Sequence, residues 1–188
     1  MNGRRLSLVL LLLLLLGSGT VYWWRLGWLE RSQDRPIRAA ARRYGIEPAL
    51  VKAIVWRESR FNPNARGRAQ EFGLMQLQDE AAREWADAEH IAGFDHTHCF
   101  DPVTNTLAGT WYLRKLIRRY TNTDDPLPYA LADYNAGRGN VLKWNKGAAE
   151  TNSAAFIEQI RFPGTKSYVA SVLQRFQHYR PIFLPEQD

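Results

Sequence analysis

The chain has 188 residues, of which 45% are hydrophobic and 12% aromatic, and its formal net charge is +6 at pH 7. This length suits one domain with a sizeable core plus an N-terminal appendage. The charge excess lies in residues 1–43, which hold eight Arg against Glu30 and Asp34, whereas the remainder carries equal numbers of acidic and basic residues. Because nucleic-acid binding depends on a basic surface of the folded domain, this distribution argues against a nucleic-acid partner.

The N-terminal residues predict a membrane signal. Arg4 and Arg5 precede an almost uninterrupted apolar run, Leu6–Trp24. As a helix this run would span about 28 Å, close to the hydrocarbon thickness of a bilayer. Four aromatic residues suited to the membrane–water interface lie at or beyond its end: Tyr22, Trp23, Trp24 and Trp28.

We interpret residues 1–34 as an uncleaved signal anchor with a short linker (25–34), and residues 35–188 as one domain. A cleaved signal peptide is the alternative, since the small residues 17–19 could form a cleavage site. Six Arg follow the span and two precede it, which favours the orientation with the domain inside. Because long domains are exported despite such charge, we place the domain outside the cytoplasm.

Residues 35–188 show helical periodicity nearly throughout, so the fold class is mainly α. Pro36 fits the first turn of a helix that ends before Gly45. Pro48 opens a second helix, which continues to about Arg60. Asp79 is predicted to cap a third helix that ends near residue 88.

Three further helices are predicted in the second half of the chain. Asp101-Pro102 is typical of an N-cap followed by proline at the first helical position. Pro128 is predicted to open a helix that stops at Gly137, and a last long helix is predicted to begin near Thr165. Strand signals are few, and any strands are expected to be short pieces between residues 60 and 77.

Glu58 stands where a core residue is expected. Val51, Ile54 and Val55 form an apolar stripe on the second helix, and Glu58 completes its i, i+3, i+4, i+7 spacing. Burial of a carboxyl group raises its pKa, and a raised pKa suits a general acid near neutral pH. The alternative is a solvated residue in the last turn of the helix. The pattern favours an enzyme that protonates a leaving group.

The histidine and cysteine residues give no strong metal signal. Cys99 is the only cysteine, so no intramolecular disulfide can form. His96 and His98 lie beside it, but the local spacing supplies no fourth ligand and matches no strong zinc pattern. We expect a structural or solvated loop there, and no metal or organic cofactor.

Three segments carry side chains suited to a site: Glu58-Ser59, Gly73-Leu74-Met75-Gln76 and Ala132-Asp133-Tyr134-Asn135-Ala136-Gly137. Each has a structural alternative. Met75 could fill a gap in the core, Gln76 and Asn135 could bond local backbone, and Tyr134 could be a core residue.

In this order and at this separation, the three segments resemble the motifs of soluble lytic transglycosylases. Further positions that are similar to the family are Asn62-Pro63, Asn105, Gly109, Tyr112-Leu113 and Tyr168-Val169. The resemblance covers residues 44–180. It implies a lysozyme-like helical domain in the bacterial envelope, on the periplasmic side of the inner membrane, with peptidoglycan glycan strands as the partner. Partners among other envelope proteins are left open.

The resemblance also implies the reaction and the residue roles. Glu58 would be the sole catalytic acid/base, cleaving the bond between N-acetylmuramic acid and N-acetylglucosamine and leaving a 1,6-anhydromuramic end. Tyr134 would orient Glu58. The substrate groove would be lined by Ser59, Met75, Gln76, Tyr134, Asn135 and Tyr168.

Three positions depart from the family pattern: Glu71, Asp133 and Gly164. Either acidic residue could be a second carboxylate, which would permit hydrolysis, or both could lie at the rim of the groove. Two other functions therefore compete with the transglycosylase. One is a muramidase of goose-lysozyme type, and the other is a catalytically silent peptidoglycan-binding module.

Overall fold

The computed structural model describes residues 3–185, with side chains at all of these positions except 3–10, 12, 15, 16, 22, 23 and 26. Within this range the chain is mainly helical, as predicted. Its α-helices are α1 (Gly3–Ser32), α2 (Asp34–Tyr44), α3 (Pro48–Ser59), α4 (Asp79–Ala88), α5 (Pro102–Arg119), α6 (Pro126–Ala136), α7 (Arg138–Trp144), α8 (Ser153–Gln159) and α9 (Pro163–Tyr179). Short 3-10 helices span His96–Phe100 and Gly147–Glu150.

Extended structure in residues 3–185 is limited to the segment between α3 and α4. Two isolated antiparallel bridges form there, one between Arg66 and Phe72 and the other between Phe72 and Leu77. This confirms the expectation of short extended pieces between residues 60 and 77.

Local chemistry explains two of the helix ends. Asp101 caps α5, because its carboxylate accepts the backbone N–H of Thr104 at 2.8 Å. Gly45 ends α2 with φ +66°, a left-handed conformation that glycine adopts without strain. Both ends were predicted from the sequence.

Three predicted helix starts need correction. The N-cap of α4 is Gln78, and Asp79 is instead the first helical residue, where its carboxylate accepts from Arg83 at 2.8 Å. Helix α6 begins two residues before Pro128, because Asp125 caps it through the N–H of residue 127. Helix α9 begins at Pro163, two residues before the predicted start.

Helix α3 lies at the centre of the molecule. Its residues 48–55 are all buried, and it packs against α9 on one side and α2 on another. Helix α6 packs against both α5 and α9. The end of α3 that carries Glu58 is thereby brought towards α6 and α9.

The N-terminal helix α1 continues through most of the predicted linker and ends against the domain. Gln33, between α1 and α2, is buried. Lys52 of α3 donates to Asp34 at 2.7 Å and lies 3.7 Å from Glu30. The last turn of α1 is therefore tied to the helix that carries Glu58.

No helix among the described residues is both long enough and apolar enough to cross a bilayer. In the predicted aromatic belt, Trp24 and Trp28 are exposed, whereas the side chains of Tyr22 and Trp23 lie outside the described residues.

The histidine-cysteine segment has structural contacts. The His96 ring stacks on Phe72 with centroids 4.2 Å apart, and His98 accepts the backbone N–H of Asp95 at 3.3 Å. Cys99 is buried, which raises the pKa of its thiol to about 12. No group of three or more metal-ligating side chains converges within the described part of the chain.

Candidate active site

A cleft of about 420 Å³ opens where the C-terminal end of α3 meets the following loop and the end of α6. Glu58 lies in its wall. The other lining residues are Gly67, Arg68, Glu71, Gln76, Leu77, Gln78, Ala81, Tyr112, Asp133, Tyr134, Asn135, Ala136 and Gly137. The three sequence motifs thus each contribute to one cleft.

The backbone turns sharply just after Glu58. Arg60 and Phe61 have φ values of +52° and +64°, in the left-handed region that is uncommon for side chains of this size. Phe61 is 3% exposed, so burial of its ring compensates for the strained turn. The turn ends α3 at Ser59, with Arg60 as the C-cap, and leaves Glu58 at the edge of the core.

The Glu58 carboxyl group is half-buried and is held by one tyrosine. The Tyr168 hydroxyl, on α9, donates to Glu58 Oε1 at 2.7 Å. Tyr168 itself is 1% exposed. The guanidinium of Arg57 lies 5.3 Å from the centroid of the Tyr168 ring. It also donates to the Ser171 hydroxyl at 3.0 Å, and these contacts join α3 to α9 near Glu58.

Burial raises the pKa of Glu58 from its ordinary value of 4.5 to about 7. The hydrogen bond from Tyr168 and the charge of Arg57 oppose this shift, since both favour the ionised carboxylate. The charge of Glu71 adds to it. Glu58 is therefore protonated in a large fraction of molecules at neutral pH, which is the state that a general acid needs.

The resemblance implies that Tyr134 orients Glu58, and the structure shows a different hydrogen-bond partner for its hydroxyl group. Its hydroxyl donates to the carbonyl oxygen of Met75 at 2.8 Å, rather than to Glu58. Tyr134 therefore supports the loop of the second motif and lines the cleft with its ring. Tyr168, predicted as a residue of the groove, is the tyrosine whose hydroxyl donates to Glu58.

Met75 does not reach the cleft. Its side chain is fully buried and packs against Gly109, where an added Cβ would lie 2.4 Å from the Met75 sulfur. The prediction that its side chain lines the groove is wrong, and the gap-filling alternative is supported.

Gln76, the next residue, does line the cleft. Its φ of +47° turns the chain. Its side-chain amide donates to the carbonyl oxygens of Ala65 and Gly73 at 3.2 and 2.8 Å, which fixes the side chain against the loop.

Asn105 holds the loop of the second motif through hydrogen bonds to its backbone. It is fully buried, and its Oδ1 accepts the N–H of Met75 at 2.8 Å. Its amide nitrogen donates to the carbonyl oxygens of Phe72 and Cys99, both at 2.8 Å. One buried side chain therefore bonds the backbone of the loop at Phe72 and Met75 and joins it to the backbone at Cys99.

Ser59 and Asn135 differ in position. The Ser59 hydroxyl donates to the Val55 carbonyl oxygen at 3.1 Å, and Ser59 is not among the residues that line the cleft. Asn135 is exposed at the cleft, where its Oδ1 accepts from the Thr165 hydroxyl at 2.9 Å.

The two acidic departures have different environments. Asp133 is 2% exposed and accepts hydrogen bonds from Arg119 at 2.5 Å and from Tyr120 at 2.7 Å. It is therefore a buried, paired carboxylate and not a rim residue. Glu71 is half-buried in the cleft wall and accepts the N–H of Ala69 at 2.9 Å. Gly164, the third departure, lies in the first turn of α9.

Sequence reasoning missed part of the cleft wall. Arg68, Gln78 and Ala81 line it but lie outside the three motifs, in irregular or early helical segments with no periodic signal. Two turn residues near these positions have positive φ: Gln70, before the second motif, and Gln76, its last residue. Neither is a glycine, so the sequence does not mark these turns.

Comparison with known proteins agrees with this geometry. Residues 35–157 match the transglycosylase SLT domain family. The soluble lytic murein transglycosylase of Escherichia coli (strain K12) is 32% identical over 137 residues, which cover 72% of this chain and 21% of that protein. Membrane-bound lytic murein transglycosylase C of Klebsiella pneumoniae (strain ATCC 700721 / MGH 78578) is 38% identical over 113 residues, or 57% of this chain and 31% of that protein.

Solved structures show the same relationship. An inactive mutant of lytic transglycosylase Slt from Pseudomonas aeruginosa superimposes with a TM-score of 0.70 at 28% identity, covering 77% of this chain and 23% of that one. A 70-kDa soluble lytic transglycosylase in complex with bulgecin A gives 0.68 at 27% identity, covering 81% and 25%. This chain thus spans less than a third of the length of each of these relatives. The match over residues 35–157, the helical fold and the cleft together identify the chain as a member of the transglycosylase SLT domain family.

Proposed function

We propose that this protein is a peptidoglycan lytic transglycosylase with Glu58 as its single acid/base. The observation that carries the proposal is a half-buried carboxyl group in a cleft wall, held by Tyr168 and with a pKa of about 7. The names of the relatives support murein, that is peptidoglycan, as the substrate class.

In the first step, protonated Glu58 gives its proton to the glycosidic oxygen between N-acetylmuramic acid and N-acetylglucosamine. The bond from this oxygen to C1 breaks, and the N-acetylglucosamine part leaves as an alcohol. The acetamido group of the muramic residue stabilises the cationic C1, so a second protein carboxylate is not required, in contrast to ordinary retaining glycosidases.

In the second step, ionised Glu58 takes the proton of the muramic C6 hydroxyl while that oxygen attacks C1. The product is a 1,6-anhydromuramic end, no water is consumed, and Glu58 returns to its protonated state. A carboxyl group that serves first as acid and then as base works best with a pKa near ambient pH. The Tyr168 hydrogen bond holds the carboxylate in place through both steps.

The residues proposed to touch the glycan are those with side chains in the cleft wall. Gln76 and Asn135 offer amide groups there, and the rings of Tyr112 and Tyr134 offer apolar surface for sugar faces. Ser59, Met75 and Tyr168 act from behind this wall, because their side chains contact protein groups instead of the cleft.

A hydrolytic muramidase would need another group to activate water or stabilise C1. Asp133 is unsuited to this role, since Arg119 and Tyr120 already occupy its carboxylate. Glu71 is the remaining acidic residue of the cleft wall. A hydrolytic reaction would therefore depend on Glu71, which the following experiment tests directly.

The test is mass spectrometry of peptidoglycan sacculi digested by the wild type, Glu58→Gln and Glu71→Gln. We expect anhydromuropeptides, one water lighter than hydrolysis products, from the wild type and from Glu71→Gln. Glu58→Gln should bind sacculi without releasing product. Reducing muropeptides from the wild type, or substantial turnover by Glu58→Gln, would contradict the proposal.

We further propose that residues 1–34 anchor the protein in the inner membrane and that residues 35–188 form the catalytic domain in the periplasm, where it acts in turnover of the cell wall. The apolar run after Arg4 and Arg5 and the membrane-bound relative support this placement. Resistance of the full-length chain to alkaline carbonate extraction, and its loss on removal of residues 1–24, tests the anchor.

A further inference from the structure

Three arginines form a stripe along α2, just after the proposed membrane anchor. Arg35, Arg38 and Arg42 have the spacing i, i+3, i+7, which places them on one helical face. Arg35 and Arg42 are exposed and Arg38 is half-buried. The proposed activity does not use them, and their position after the span opposes the usual charge bias of an exported domain.

The C-terminal segment packs beside this stripe. The Phe183 ring is 4% exposed and lies 3.7 Å from the guanidinium of Arg38 and 4.2 Å from the ammonium of Lys52. The residues on either side of it, Ile182 and Leu184, are 66% and 58% exposed. Two large apolar side chains are therefore held in solvent next to the arginines by one buried aromatic residue.

A second cleft, of about 350 Å³, lies between the arginine stripe and the C-terminal segment. It is lined by Arg38 and Arg42 on one side and by Pro185 of the C-terminal segment on the other. Its remaining walls are mostly apolar or backbone: Ala41, Gly45, Ile46 and Pro48, with Glu47 as the acidic member.

Basic residues outnumber acidic ones at this surface: Arg35, Arg38, Arg42, Lys52 and Arg180 against Glu30, Asp34 and Glu47. Asp34 accepts from Lys52 at 2.7 Å, and Glu47 pairs with Arg180 at 3.2 Å. The surface made by the arginine stripe, Ile182 and Leu184 is consequently basic with an apolar tip. This combination is typical of protein surfaces that rest on an anionic bilayer, where each arginine adds to the attraction and apolar side chains enter the interface.

We propose that this surface docks on the bilayer and that its arginines bind the phosphate groups of anionic phospholipids. Ile182 and Leu184 enter the interfacial layer beside them. The proposal rests on the membrane placement proposed above. It gives the arginines after the span a role on the outer leaflet, and it holds the catalytic cleft in a fixed orientation to the membrane, because α3 is tied to the same surface through Lys52 and Phe183.

The test uses the full-length chain with a probe at the apolar tip. Leu184→Cys is labelled with a polarity-sensitive fluorophore, and Leu142→Cys, an exposed leucine on α7, is the control position. The native Cys99 is fully buried and does not compete for the label. Each protein is combined with vesicles of phosphatidylcholine alone or of phosphatidylcholine with phosphatidylglycerol. We expect a blue shift at position 184 that requires phosphatidylglycerol and is reversed by salt, and no shift at position 142.

The arginines are tested with Arg35→Gln/Arg42→Gln, which leaves the Arg38–Phe183 stack intact. The matched control, Arg83→Gln/Arg118→Gln, removes the same charge from exposed positions on α4 and α5. Each arginine near an anionic surface is expected to raise the ratio of docked to undocked domain about fivefold. Loss of Arg35 and Arg42 should therefore lower this ratio about 25-fold, whereas the control variant should leave it unchanged.

Equal shifts in both kinds of vesicle, no shift in either, or equal losses in the two double variants would overturn the docking surface. Membrane insertion is scored separately by carbonate extraction, and catalysis is scored by product mass in detergent. Failure of the anchor or of the transglycosylase reaction is thereby distinguished from failure of the docking surface.

Discussion

Glu58 and Tyr168 are 110 residues apart in the chain, yet their side chains are joined by the hydrogen bond that defines the candidate site. Burial makes the Glu58 carboxylate costly to ionise, and the Tyr168 hydroxyl partly offsets that cost by donating to it. The balance of these two effects keeps the pKa of Glu58 near 7 instead of higher. The proposed acid/base role of Glu58 therefore depends on the environment of its carboxyl group.

Tyr168→Phe tests this balance. Loss of the hydroxyl removes a donor that favours the ionised carboxylate, so the pKa of Glu58 should rise and the alkaline limb of the kcat/KM profile should move to higher pH. Poorer positioning should lower kcat on the order of tenfold to a hundredfold. Turnover of soluble glycan strands across a pH series measures both quantities.

Tyr134→Phe is the matched control, since it removes a hydroxyl that donates to the Met75 carbonyl oxygen and not to Glu58. Its alkaline limb should coincide with that of the wild type. A limb that moves in Tyr134→Phe and stays in Tyr168→Phe would return the orienting role to Tyr134.

The loop of the second motif forms part of the cleft wall, and its backbone shape depends on Gly73. Gly73 has φ +77°, and an added Cβ would lie 2.1 Å from the Cys99 carbonyl oxygen and 2.3 Å from the Asn105 amide nitrogen. Because Asn105 holds the loop through its hydrogen bonds, any side chain at Gly73 would displace the group that organises it.

Gly73→Ala should therefore destabilise the protein by at least about 3 kcal/mol, through left-handed strain and loss of the Asn105 bonds. Gly139→Ala is the matched control, because nothing lies within 4 Å of its added Cβ and it sits in α7. That change should be neutral or stabilising by up to about 1 kcal/mol. Urea denaturation measures both values, and similar stability of the two variants would count against this role of Gly73.

The sequence predicted long helices with strong end signals well. Asp101-Pro102 and Gly45 mark ends that the structure confirms, because capping chemistry acts locally. The seven-residue helices α7 and α8 were missed, since so short a segment carries too little periodicity to stand out.

The site was predicted in part, for a related reason. Glu58 could be found because it is an acidic residue on the apolar stripe of its own helix, a signal that is local in the sequence. Met75 and Gln76 are neighbours in one motif, yet only Gln76 faces the cleft. The backbone turn at Gln76 decides this, and it depends on Asn105, 30 residues away from Met75. Contacts of this kind are set by packing between distant segments and leave no local signal.

For the whole molecule, ionisation of the half-buried Glu58 carboxyl group lowers the free energy of unfolding above neutral pH. Its folded pKa of about 7 lies above the ordinary value of 4.5, so the folded state binds a proton between these values that the unfolded state has lost. Stability from this group is therefore full below pH 4.5 and falls as pH rises through 7.

Glu58→Gln should consequently be more stable than the wild type at pH 8, by up to about 3 kcal/mol, and about equally stable at pH 4. Glu158→Gln, at an exposed position, is the control and should change stability little at either pH. Chemical denaturation at a series of pH values measures the difference. A pH-independent gap between Glu58→Gln and the wild type would show that ionisation of Glu58 is not the cause.

The most direct test of the central claim is to titrate Glu58 itself. In protein labelled with ¹³C at glutamate side-chain carboxyl groups, the Glu58 signal is identified by its absence from the spectrum of Glu58→Gln, and its chemical shift is followed by NMR from acid to alkaline pH. We predict a midpoint at about 7. A midpoint near 4.5, the value of a carboxyl group open to water, would contradict the assignment of Glu58 as the acid/base.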